Sequence, residues 1–102
     1  MNEEVIKLMQ EIPKIIEVRP LNDLVLLVRF DNNVTKKYDV KPLLSRYPVF
    51  QNLKNPESFK QVAVSGGGYG IVWNEEIDLS EYEIWNNGIE VSPMRLISLR
   101  DH

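Results

Sequence analysis

The sequence predicts an α+β fold: an antiparallel sheet of about five strands, arranged as a three-stranded meander plus a hairpin, with short helices packed on one face. Three observations carry this. Apolar, β-rich runs of strand length ("KIIEVRP", "LVLLVRFD", "VTKKYDV") are separated by Asn/Asp turns. Prolines stand at helix-opening positions between residues 41 and 59. Period-two alternation then returns in "KQVAVS" and "YGIVW".

Taken in order, Asn2 caps a helix whose first turn carries Glu3 and Glu4, where the helix dipole favours negative charge. Val5, Leu8, Met9 and Ile12 share one face of it, and Pro13 ends it. The first strand closes at Pro20, with Asn22-Asp23 as a turn. The second is apolar on both faces as far as Val28, which marks a central strand. Asn32-Asn33 suits a tight hairpin, because asparagine tolerates positive φ. The third strand returns with Val34, Tyr38 and Val40 on one face.

"KPLLSRYPVF" reads as one helical turn burying Leu43 and Leu44 and stopping at Pro48. In "NPESF", Asn55 is the cap, Pro56 opens a helix and Phe59 points inward. Val62 and Val64 alternate on the fourth strand, and Tyr69, Ile71 and Trp73 on the fifth, which places Trp73 in the core.

Between those two strands lies Gly66-Gly67-Gly68-Tyr69-Gly70. A phosphate-binding glycine loop must open a helix, whose amides and dipole hold the anion. A P-loop also needs lysine followed by serine or threonine. Here Gly70 leads into the strand-like Ile71-Val72-Trp73, so the loop is read as a flexible connection that turns the chain.

Composition bounds the function. With 102 residues and 43% apolar content, one modest core is expected, and residues 1–102 are read as a single domain. No cysteine is present, which removes thiol chemistry and cysteine metal sites. The sole histidine, His102, is the last residue, so neither a Ser-His-Asp triad nor a histidine metal site is expected. No apolar run approaches the ~20 residues that span a bilayer. The start "MNEEVIKLMQ" is acidic where a secretory signal is basic, so the expected setting is cytoplasmic. No cofactor is expected.

The net charge of −3 conceals an asymmetry: residues 1–60 carry ten basic and eight acidic side chains, residues 61–102 two and seven. From Gln61 to Met94 there is no basic residue. Glu75, Glu76, Asp78, Glu81, Tyr82 and Trp85 combine acids with aromatics there, and they are the candidate partner-binding residues. Such a surface suits a small basic protein and disfavours nucleic acid. The ordinary alternative is a solvated rim that keeps the protein in solution. Glu75, Asp78 and Glu81 also form a weak candidate carboxylate group for a divalent cation, without EF-hand spacing. Ser80 reads as a helix cap with Glu83 reaching back in a capping box. Trp85 ends that helix and is the more open of the two tryptophans.

The order of these features resembles a bacterial family, domain of unknown function 2442. The matching residues run from the strand ending in Pro20 through "LVLLVRFDNN" and "YDVKPLL", then Phe50, Leu53, Phe59 and "VAV", to "IVWNEEIDLS". They cover about residues 13–85. The chain departs from the pattern in two turns, at Asp31-Asn32-Asn33 and at Glu76, where relatives favour glycine. The resemblance implies a compact α+β domain, in some relatives encoded beside another small protein in a toxin–antitoxin-like pair, and it carries over no catalytic residue.

The expected function is therefore a non-catalytic protein-binding module, antitoxin-like or regulatory. The alternatives are a small enzyme or metal-binding protein with a carboxylate-centred site, and a DNA-binding regulator. Beyond Gly88, Pro93 opens a last helix with Met94, Leu96 and Ile97, which closes the fold or joins two copies as a homodimer.

Overall fold

The computed structural model describes residues 12–91. The expected helices over residues 2–12 and from Pro93, and His102, lie outside the described residues, Ile12 excepted.

β1 (Ile15–Pro20), β2 (Val25–Phe30) and β3 (Thr35–Asp39) form the expected antiparallel meander, with β2 in the middle. Leu26, Val28 and Phe30 of β2 are fully buried, whereas the opposite face carries half-buried Val25 and Leu27. Both meander turns use positive φ. In the first, Asp23 and Leu24 stand at φ 62° and 60°, and the Leu21 amide donates to the Val25 carbonyl at 2.7 Å. In the second, Asn33 alone is left-handed, at φ 71°, and the Asn32 side chain accepts from the Val34 amide at 3.1 Å. A type I′ turn needs two such residues. The turn therefore keeps the asparagine tolerance that the sequence indicates but has a different geometry.

Helix α1 (Lys41–Arg46) buries Leu43 and half-buries Leu44. The helix stops before Pro48 as read, with Tyr47 extended, and a separate 3₁₀ segment, Pro48–Lys54, then buries Phe50 and Leu53. Helix α2 (Pro56–Phe59) forms as read, with Asn55 Oδ1 accepting from the Glu57 amide at 2.9 Å and Phe59 buried.

β4 is shorter than the alternation indicates (Ala63–Val64), and β5 runs Gly70–Asn74. Two further strands bring the described residues to seven: β6 (Ile77–Ser80) and, after helix α3 (Glu81–Asn87), β7 (Ile89–Val91). They divide into a four-stranded sheet, β1-β2-β3-β7, and a three-stranded sheet, β4-β5-β6, with every pairing antiparallel. The α+β class stands, with the strands shared between two sheets. β1 packs against β4 and β5, and α3 packs against β3 on one side and β5 and β6 on the other. One apolar cluster drawn from both sheets fills the space between them, including Phe30, Leu53, Ile71, Trp73, Ile77 and Ile84.

Two expectations around the glycine loop need correction. Tyr69 is 60% exposed and not inward. A 3₁₀ turn over Gly66–Gly68 resets the alternation, and β5 begins only at Gly70. The Tyr69 ring instead carries the Lys14 ammonium 4.5 Å from its centroid. Nor is the loop merely flexible. The Gly68 amide donates to the Ser65 carbonyl at 3.0 Å and the Ser65 amide to the Gly70 carbonyl at 2.9 Å. Gly67 and Gly68 both hold φ 78°, and Gly68 is buried against β1. The glycines lead into strand β5, so the loop lacks the helix N-terminus that a phosphate would need.

Candidate functional site

The acidic segment is a hairpin running into a helix. Asn74 Oδ1 accepts the amides of Glu76 at 2.8 Å and Ile77 at 3.1 Å, which fixes the β5–β6 turn. Glu75 and Glu76 are exposed at its tip. Along β6, Ile77 is buried and Asp78 exposed, as period two requires. Ser80 then caps α3, accepting the Glu83 amide at 3.1 Å, and the Glu81 amide donates to the Tyr69 carbonyl at 3.0 Å. Tyr82 is 59% exposed, while Glu81 and Trp85 are half-buried. None of the ion pairs among the described residues involves these acids: they join Glu17 to Arg19 and Arg29, and Lys41 to Asp23 and Asp39.

Trp85 is the more open of the two tryptophans, as read, but it is only half-buried and is held by its own fold. Its ring packs edge-on against Phe30, centroids 5.0 Å apart at 73°. The Lys36 ammonium sits 4.2 Å from its centroid and donates to the Trp85 carbonyl. It is thus engaged by its own fold rather than offered openly. The carboxylate cation site is not assembled either. Among the described residues no three acidic or histidine side chains come together as a metal group, so Glu75, Asp78 and Glu81 stay apart.

The capping box is half made. Glu83 does not reach back, because its carboxylate is used elsewhere. Its Oε2 accepts the Tyr38 hydroxyl at 2.8 Å and the Asn87 side-chain amide at 3.0 Å. These residues line a cleft of about 640 Å³ between β3, α1 and α3. Val25, Pro42, Leu43 and Ile89 give it apolar walls, Lys37 and Arg46 add two cations, and Asp39, paired with Lys41, adds a carboxylate beside that of Glu83. Sequence reasoning missed the cleft, since its residues come from three separate stretches. The one signal was Tyr38, a core-facing tyrosine whose hydroxyl needs a partner.

Burial, and then the hydrogen bond to Glu83, hold the Tyr38 hydroxyl well above its ordinary pKa of 10.0. The neutral phenol is therefore favoured in the folded protein, and that stabilisation is complete below pH 10. It is lost as pH rises from there towards the folded-state value. Tyr38→Phe is expected to cost about 1.5–3 kcal/mol at neutral pH, the usual worth of a hydrogen bond to a charged group. Urea titrations of both proteins should show that gap closing above pH 10. A gap constant with pH would disprove the linkage.

The model of a family described as Protein of unknown function (DUF2442) matches residues 15–90. The chain belongs to this family. No curated protein and no solved structure matches it. The DUF2442 region opens on the first residue of β1 and ends inside β7, so it takes in both sheets, the acidic hairpin and the cleft. It extends past residue 85 because β7 pairs with β3 and belongs to the sheet. Of the two turns where the resemblance led one to expect glycine, one is met by left-handed Asn33. The other, at Glu76, has no positive φ and so no need of glycine. Among the described residues of this DUF2442 chain, no helix is long and apolar enough to cross a membrane.

Proposed function

We propose that the chain is a non-catalytic protein-binding module whose acidic hairpin and helix α3 dock a small basic protein. An antitoxin-like or regulatory role in a two-gene system is the setting that the family resemblance suggests. One observation carries the reading. Glu75, Glu76 and Asp78 are exposed and outside every ion pair of the described residues, and β6 leads from them directly to exposed Tyr82. Exposed acids outside the ion pairs of the described residues raise the encounter rate of a basic partner, and an exposed tyrosine supplies contact area at low entropic cost. Asn74 and Ser80 hold the surface in place before binding, which lowers the ordering cost on association. Trp85 is a support behind α3 in this scheme and not the anchor.

Glu75→Lys with Glu76→Lys tests the proposal. Exposed charges contribute little to stability, so the melting temperature should stay within a degree or two, about 0.5 kcal/mol or less. Affinity capture from the native host at low salt supplies the partner. Association of the reversed protein with it should slow about tenfold or more and lose most of its salt dependence. Identical kinetics for both proteins would reduce the acids to a solubility rim.

A further inference from the structure

The cleft between β3, α1 and α3 holds an unusual charge arrangement. Arg46 and Glu83 both line it, yet no ion pair of the described residues joins them. Opposite charges in one cleft that do not meet leave room for something between them. Glu83 is fixed in place, since Tyr38 and Asn87 both donate to its Oε2. Its Oε1 accepts no hydrogen bond among the described residues. A carboxylate oxygen without a donor is a place for a cationic donor. Arg46 lies in the last turn of α1, and a guanidinium receives a carboxylate through two parallel hydrogen bonds.

The lining also carries apolar side chains. Leu43 is 5% exposed and Ile89 73% exposed, the latter an isoleucine facing water without a partner among the described residues. The volume, about 640 Å³, falls inside the range of small-ligand sites, about 300–1,000 Å³. A ligand that fits must bring an anion, a cation and a hydrocarbon surface at once. A simple acid would leave Glu83 unpaired beside it, and a simple amine would leave Arg46 unpaired, each at a desolvation cost.

We propose that this cleft binds a free α-amino acid with an apolar side chain. The carboxylate meets Arg46, the ammonium meets Glu83, and the side chain lies against Leu43 and Ile89. Lys37 and Asp39 also line the cleft, with opposite charges, and Asp39 is already paired with Lys41 at 3.0 Å. The site shares helix α3 with the proposed docking surface but uses Glu83 and Arg46 rather than Glu75, Glu76 or Tyr82, so different variants test the two readings.

Isothermal titration of the full chain tests it, with L-leucine and L-phenylalanine as ligands. 4-Methylpentanoate and isoamylamine serve as analogues of leucine that lack the ammonium or the carboxylate. At least one amino acid should bind saturably with Kd at or below about 1 mM, and each analogue should bind about tenfold more weakly or worse. Arg46→Ala should weaken amino-acid binding about tenfold. Its melting temperature should not change, because Arg46 is exposed and takes part in no ion pair among the described residues. Glu83→Gln keeps an oxygen for Tyr38 and should weaken binding similarly. Absence of heat with either amino acid up to about 10 mM overturns the proposal. So does equal binding of an analogue, or unchanged binding by Arg46→Ala.

Discussion

Trp73→Ala should remove much or all of the protein's stability at room temperature. The indole is 7% exposed, and its N–H donates to the Phe59 carbonyl at 3.1 Å. It stacks on Phe59 with centroids 6.1 Å apart and meets Phe50 edge-on at 6.2 Å. It therefore ties β5 to the 3₁₀ segment and to α2. Removing a buried tryptophan costs about 3–5 kcal/mol. The Phe59 carbonyl also loses its donor, a further penalty of about 1–3 kcal/mol if water cannot replace it. Small domains have about 5–15 kcal/mol in all, so the sum consumes much or all of the margin. Trp73→Phe keeps much of the volume and should fold with a lowered urea midpoint. Far-UV circular dichroism and urea titration separate the cases. A folded Trp73→Ala protein with a midpoint near wild type would mean that this ring is not the joint between sheet and helices.

Gly68→Ala should be far more damaging than Gly66→Ala. Gly68 holds φ 78°, where an alanine side chain costs about 1–2 kcal/mol. A Cβ there would also stand 2.6 Å from the Ile15 carbonyl oxygen, on the backbone of β1. That carbonyl belongs to a paired strand and has little freedom to yield, so about 1–3 kcal/mol of overpacking adds to the first cost. At Gly66 φ is not in the left-handed range and a Cβ would meet nothing within 4 Å. Its replacement should change stability by less than about 0.5 kcal/mol. Thermal melts of the two single variants give the comparison directly. Equal melting temperatures would show that the loop is slack and that β1 does not rest on it.

The meander was legible because its strands are five or six residues long and its turns carry asparagine or aspartate. Asn55 and Ser80 were legible as caps because a short polar side chain before a helix has one dominant use. β6 and β7 escaped notice for the opposite reason. With four and three residues they are too short for alternation to register, and both depend on a partner strand for their identity. Tyr69 was misplaced because period two was extended across a 3₁₀ turn that belongs to no strand. Within the acidic segment, exposure at Glu75, Glu76, Asp78 and Tyr82 follows from pattern. The engagement of Trp85 does not, since Phe30 and Lys36 lie far from it in sequence. The cleft is the extreme case. Lys37, Arg46 and Glu83 are unremarkable one by one, and only the placement of α1 and α3 beside β3 makes them neighbours.

Among the described residues the core holds no buried charge, and no buried side-chain polar atom lacks a partner. This bears on how such a chain can evolve. Where the polar contacts of the core are confined to side chains such as Tyr38 and Trp73, volume-conserving exchanges among Leu, Ile, Val and Met elsewhere cost less than about 1.5 kcal/mol each. Core identities are then free to drift in lineages that hold total volume and strand alternation. The backbone enforces what side-chain packing does not: Gly68 against the Ile15 carbonyl, Gly70 against the Leu79 carbonyl, and Asn33 in its left-handed turn. Two descendants of one ancestor can thus keep all seven strands while sharing few residues beyond those that bend the chain.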